Sequence, residues 1–169
     1  MNKIKAGIAF ALLLGVTLTG CALFNTPPSA SDIDNLLDEN YSYIMIVTEF
    51  LIDLEYDAVY ISDTSQKMFA DFNQINITKS SVNSAIRYLW ENKVCRGISK
   101  QGNTIQIRHW SGSQEIGCGL AYSINHTDVP EIQFVTELSP LSKDGWYYYV
   151  DNYNKWRNEK TNAEVESLS

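Results

Sequence analysis

Two histidines, three cysteines and twenty Asp and Glu residues are the side chains of this 169-residue chain best suited to moving protons, holding metals or attacking a carbonyl carbon. His109 has the parity of Ile105 and Ile107, so it reads as a partly buried strand residue, and His126 sits in the polar loop Asn125-His126-Thr127-Asp128. Neither stands in a motif with a Ser or Cys nucleophile, although triads are assembled in space rather than in sequence. Glu49, Asp53 and Asp57 recur every fourth residue, with Glu55 beside them. Paired carboxylates bind calcium or serve as acid and base. On a helix rich in Leu and Ile, such a stripe reads instead as the solvated face, a negative surface open to a basic partner. The sequence carries no phosphate-binding glycine loop, zinc spacing or nucleotide fingerprint. It therefore names no catalytic residue, metal ligand or cofactor.

The cysteine with the clearest context is Cys21. Lys3 and Lys5 are followed by an apolar run over residues 6–18, which ends in Leu18-Thr19-Gly20-Cys21. A membrane span needs about 20 apolar residues, more than this run holds. The segment resembles the signal peptide and lipobox of bacterial lipoproteins. That resemblance covers the first 21 residues, and it implies cleavage before Cys21, a diacylglycerol on its sulfur and a fatty-acyl chain such as palmitate on its new amino group. Two such signals exceed what stable anchoring requires. In didermal members of the class an Asp after the cysteine marks retention at the inner membrane. Ala22 stands there, so the expected address is the outer membrane, facing the periplasm.

Removing residues 1–20 leaves 149 residues, enough for one domain with a substantial core. It also removes two lysines and no acid, so the formal charge falls from −7 to −9. An acidic chain without a basic footprint excludes nucleic acid as a partner and favours basic envelope proteins. With Cys21 assigned to lipid, Cys95 and Cys118 form an even pair in an oxidising compartment. They are expected to form a disulfide, with Cys95 placed at a helix-to-strand corner. A metal pair and a reactive thiol are the weaker alternatives, because two cysteines without nearby His or Asp do not fill a tetrahedral site.

Hydropathy periodicity orders the elements. Residues 21–30, with Pro27-Pro28, read as the lipidated cysteine and an extended tether of roughly 30 Å at the reach of an extended chain. One α+β domain is expected over 31–158, and a polar tail over 159–169. Ser31 is the expected cap of a long helix with Ile33, Leu36, Leu37, Tyr41, Ile44, Val47, Leu51 and Leu54 on its apolar stripe. A second helix is expected from Asp63 or Thr64, with Met68, Phe69, Phe72 and Ile75 inward. A third carries Val82, Ala85, Ile86, Leu89 and Trp90, capped by Thr78 or Ser80. Beyond Lys93 the period changes to two. Segments 104–110, 116–124, 131–138 and 146–150 alternate, with Gly102, Gly112 and Gly145 at turns, and Asp151 is the expected cap of a closing helix. The expected fold is therefore α+β, with helices packed on one face of an antiparallel sheet of about five strands.

On that sheet Gly117, Gly119, Ala121 and Ser123 share one face of one strand. Such a strip lets a ring or backbone approach closely. Tyr147 and Tyr149 can cover it from within, or a partner protein can dock on it. Tyr147 and Tyr149 are the expected exposed members of the cluster Trp146-Tyr147-Tyr148-Tyr149, and Trp146 and Tyr148 the core members. The leading expectation is a non-enzymatic lipoprotein that binds a partner or assists assembly. An envelope hydrolase acting on cell wall or lipid and a passive spacer are the alternatives.

Overall fold

Ser29 starts the first helix. Its backbone N–H donates to the Asp32 carboxylate at 3.0 Å, and its hydroxyl oxygen accepts from the Asp32 N–H at 3.2 Å. This reciprocal capping box lies two residues ahead of the expected Ser31 cap. In the computed structural model, which describes residues 26–71, 73–112, 116–126 and 128–158, helix α1 spans Ala30–Ile52. The signal segment, Cys21 and the 159–169 tail lie outside the described residues. Ile33, Leu37, Ile44, Val47 and Leu51 form the buried stripe of α1, whereas Leu36 is only partly buried, Tyr41 is exposed at the rim, and Leu54 lies beyond the helix end. The Tyr148 hydroxyl donates to the Pro28 carbonyl at 2.9 Å. Contacts with the body of the domain thus begin inside the segment expected to be tether.

The expected second helix is instead a three-strand meander, β1 (Ala58–Ile61), β2 (Lys67–Ala70) and β3 (Asn73–Asn76). Strands of four residues show one alternation each, and Met68 and Ile75, seven apart, imitate helical spacing. Gln66 and Asp71 take left-handed backbone angles (φ 64° and 45°), which a right-handed helix does not accommodate. Asp71 fixes the corner, its N–H donating to the Ala58 carbonyl at 3.0 Å and its carboxylate accepting from the Ala58 N–H at 3.2 Å. Phe69, expected inward, faces outward, and Phe72 lies outside the described residues. Helix α2 (Ser80–Glu91) buries the expected Val82, Ala85, Ile86 and Leu89, but its cap position is Lys79, without a side-chain bond. It packs on α1, where Tyr43 stacks on Tyr88 at 3.7 Å between ring centroids.

Five strands follow, β4 (Gly97–Gln101), β5 (Thr104–Ser111), β6 (Ile116–Ser123), β7 (Val135–Pro140) and β8 (Trp146–Asn152). All eight join one antiparallel sheet in the order β3-β2-β1-β4-β5-β6-β8-β7. The class is α+β as expected, with eight strands among the described residues rather than about five. β7 begins at Val135, later than expected, because residues 124–134 cross from the end of β6 past β8. That crossing starts with the Ile124 N–H on the Asn103 carbonyl and ends with the Asn152 N–H on the Phe134 carbonyl, both at 2.9 Å. A helical turn over 153–158 closes the described chain. Asn152 rather than Asp151 caps it, accepting from the Lys155 N–H at 2.9 Å.

The helices cover one face. Val59, Ile61, Met68, Ile98, Ile105, Ile107, Leu120, Trp146 and Tyr148 form the core beneath them. Cys95 and Cys118 are both buried there as free thiols, so the expected bridge is absent from the structure. Strand β5 lies between them: Cys118 pairs with Trp110 across one edge, and the Arg96 N–H bonds the Arg108 carbonyl across the other. Strands two positions apart stand about 9.6 Å from each other, beyond the Cα separation of up to about 7 Å that a disulfide spans. Burial pushes the Cys118 thiol up to about 12 and the Cys95 thiol higher still, which makes both poor nucleophiles.

Candidate functional site

Among the described residues, neither α1 nor α2 packs on the opposite face of the sheet. Its side chains follow from strand parity and register. Tyr60 on β1 pairs with Ser99 on β4, Ser99 with Gln106 on β5, Gln106 with Ala121 on β6, and Ala121 with Tyr147 on β8. The next row runs Gly97, Arg108, Gly119, Tyr149, Leu138. Where the two rows meet, Tyr60, Arg96, Ser99, Gln106, Arg108 and Tyr149 enclose a cup of about 300 Å³, with Gly97 leaving room at its base.

Each part of the small-residue strip is closed from within. A side chain on Gly117 would put its Cβ 2.5 Å from Asp151 Oδ1 and 3.0 Å from Arg108 Cζ, so the Arg108–Asp151 ion pair lies over that glycine. A Cβ on Gly119 would run into the backbone of Ile107, Arg108 and His109, where β5 bulges between Arg108 and Trp110. Ala121 and Ser123 are buried as well. The crossing segment 124–134 bounds their end of the face: the Glu131 N–H donates to Thr104 Oγ1 at 3.0 Å, and Asp128, Val129, Glu131 and Gln133 line a cavity with Thr104 and Ser123. The strip is therefore packing surface. Tyr147 is half-buried, and Tyr149, expected to be exposed, is 0 % exposed.

Tyr149 has an unusual environment. Its hydroxyl is buried, with the Arg108 guanidinium beside its oxygen and no acceptor for its own proton among the described residues. Burial drives the phenol well above its ordinary pKa, and the neighbouring Arg108 charge only partly opposes this. The group is thus a neutral donor at any physiological pH. Burial likewise raises the Asp151 carboxyl against the opposing pull of Arg108. Burial disfavours the Arg108 charge too, but Tyr149 and Asp151 outweigh it and leave the guanidinium pKa raised. Arg96, also on the cup, has no ion-pair partner among the described residues.

Beside the cup lies an aromatic shelf. Tyr60 and Phe69 are cross-strand partners, 49 % and 47 % exposed. With Ala58, Val59 and Asp71 they line a second hollow of about 330 Å³, and Tyr60 belongs to both. Sequence reasoning missed Tyr60, Phe69, Arg96 and Arg108. The outward parity of Gln106 and Arg108 was readable opposite Ile105 and Ile107. What sequence does not show is the register that sets Arg108 against Gly119 and Asp151 over Gly117.

The other candidates do not converge. His109 bonds the Val94 carbonyl through Nδ1 at 2.9 Å and serves the bulge. His126 Nε2 meets the Tyr122 hydroxyl at 2.7 Å, and its Nδ1 lies 3.5 Å from Asp144 Oδ2. This Asp–His–Tyr chain resembles a proton relay, yet its Asp and His are exposed and it latches the turn at Gly145, packing His126 edge-on to Tyr122. Glu49, Asp53, Glu55 and Asp57 are all exposed, and only Glu49 lies within α1, Asp53 being its C-cap. Asp53 approaches Lys79 at 4.0 Å, an exposed pair of little energetic weight. Among the described residues no group of three His, Cys, Asp or Glu is placed to hold a metal ion, and no helix is long and apolar enough to cross a membrane. Set against protein-family models, curated proteins and solved structures, the chain matches none of them.

Proposed function

We propose that this protein is a lipid-anchored lipoprotein of the bacterial envelope, held by Cys21 in the outer membrane, and that it binds a partner protein through the outer face of its sheet. The anchor rests on Leu18-Thr19-Gly20-Cys21 and the apolar run before it. The binding role rests on one observation above others: two large aromatics, Tyr60 and Phe69, stand side by side and half exposed on the face away from α1 and α2, next to a polar cup. Aromatics and arginines are the residues enriched at protein interfaces. A neutral, buried Tyr149 and an ion-paired Arg108 are groups that recognise rather than attack. The acidic mature chain would draw a basic partner from a distance, which speeds encounter more than it adds affinity.

Affinity capture from gently solubilised envelopes tests this, with the lipidated wild type, a Cys21→Ser form and a Tyr60→Ala/Phe69→Ala form run in parallel. Labelled palmitate should enter the wild type and not the Cys21→Ser form. A stoichiometric partner should be retained by the wild type and lost by the double variant. A partner retained equally by both would remove the outer face from the reading, and palmitate incorporated without Cys21 would remove the anchor.

A further inference from the structure

We propose that the cup is a subsite for a single carboxylate, presented by the partner polypeptide as an acidic side chain or a chain terminus, with the adjacent apolar residue of that segment resting on Tyr60 and Phe69. This rests on the binding reading above and adds the chemistry that is recognised. Arg96, just ahead of β4, and Arg108 on β5 are joined by the Arg96 N–H to Arg108 carbonyl bond at 2.7 Å, and both line the cup. In a chain of net charge −7 they form a local basic island. Asp151 neutralises one of the two guanidiniums, leaving one positive charge to be met. That count suits a monoanion. A phosphate dianion would face the Asp151 carboxylate with its second charge unmatched.

Tyr149 supplies an independent reason to expect a ligand. Its side chain lines the cup, and its buried hydroxyl, next to the Arg108 guanidinium, has no acceptor for its own proton among the described residues. Buried donors are almost always satisfied, so one that is not marks a place where an acceptor is missing. A carboxylate accepts from planar guanidinium and hydroxyl donors together, with Ser99 and Gln106 on the wall for its second oxygen. Tyr60 is shared between the cup and the apolar hollow, so the carboxylate and an apolar group belong to one short segment.

The test is ligand-observed NMR on the purified lipidated protein in detergent, with four probes. These are N-acetyl-Phe-Ala with a free terminus, N-acetyl-Phe-Asp-amide, N-acetyl-Phe-Ala-amide and phenyl phosphate. At least one carboxylate peptide should bind about tenfold or more tighter than the uncharged amide, as expected for a charge-assisted bond. The tighter of the two tells a chain terminus from an acidic side chain. Arg96→Gln should weaken binding about tenfold and Tyr149→Phe about fivefold, the latter without loss of thermal stability. Arg87→Gln, which removes an equal charge from α2, should leave binding unchanged. Equal binding of the amide, equal loss in Arg87→Gln, or no binding by any probe would overturn the proposal. Tighter binding of phenyl phosphate would overturn it in favour of a phosphate site. An envelope partner captured regardless of the cup's sequence would sink this subsite and leave the binding role standing. Peptide binding with no captured partner would do the reverse.

Discussion

Under the helices, Asn40 and Thr48 are buried and each donates back to the carbonyl four residues earlier, at 2.9 Å in both cases, while Lys100 reaches the Leu54 carbonyl at 2.7 Å. Across the sheet, Tyr149 is equally buried and has no acceptor for its proton, and Asp151 pairs with Arg108 against the cost of its burial. The helix side has two exceptions, far apart in sequence: the unpartnered Trp146 indole N–H and the Asn83 Oδ1 on α2. The outer face concentrates its exceptions around one cup and sets two exposed aromatics beside them. Unsatisfied buried groups cost about 1–3 kcal/mol each, so a chain that leaves them together gives up stability at one place. Such sites are where strain and incomplete satisfaction mark function. The covered face is built to hold the fold, and the outer face to meet something.

The largest effect expected of a single change falls where the outer face is pure packing. Gly119→Val should destabilise the domain by about 3 kcal/mol or more, read by urea titration, because a Cβ there meets the β5 backbone, which has no room to retreat at the bulge. A stable Gly119→Val protein would mean that the strip is loose, and would reopen it as a docking surface. Asp151→Asn comes next. Breaking a buried pair costs about 3–5 kcal/mol, but the Arg108 side chain is 40 % exposed and still partly hydrated, so about 1–2 kcal/mol is expected. Because the folded protein binds the Asp151 proton more tightly than the unfolded chain does, this group adds most stability below its ordinary carboxyl value of 3.8. That contribution fades as pH rises through the raised value. Asp151→Asn should remove this slope from the stability profile. An unchanged profile would show that the pair carries no such penalty.

Much of the covered face was legible in the sequence. The stripe Val82, Ala85, Ile86, Leu89 and the alternation of Ile105 and Ile107 specify burial by period alone, and the structure buries all of them. The meander β1–β3 was not legible, since four-residue strands hold too little pattern and their corners depend on the left-handed Gln66 and Asp71. The cup was legible only as fragments. Tyr149 stood out by type and Gly117 and Gly119 by size, but the order of strands decides what faces them, and that order is a long-range fact. The pairing of Cys95 with Cys118 meets the same difficulty: the structure leaves both as free thiols, and compartment and parity do not reveal that β5 runs between them. Thiol titration of the unfolded protein should find both reactive, in addition to any group left at Cys21, whereas no free thiol would restore the bridge.

The smallest stability effects separate the two faces most sharply. Tyr149→Phe removes a buried hydroxyl whose proton has no acceptor among the described residues, so the free protein should gain up to about 1 kcal/mol and a higher Tm, the reverse of what a core tyrosine with a satisfied hydroxyl would show. Tyr148, one residue earlier and buried on the helix side, is that control. Its hydroxyl holds the Pro28 carbonyl, and Tyr148→Phe should cost about 1 kcal/mol. Opposite signs from the same substitution at adjacent positions would establish that the two faces are under different demands. If both variants lose stability, Tyr149 has an acceptor in solution, and the outer face is ordinary core with an aromatic rim.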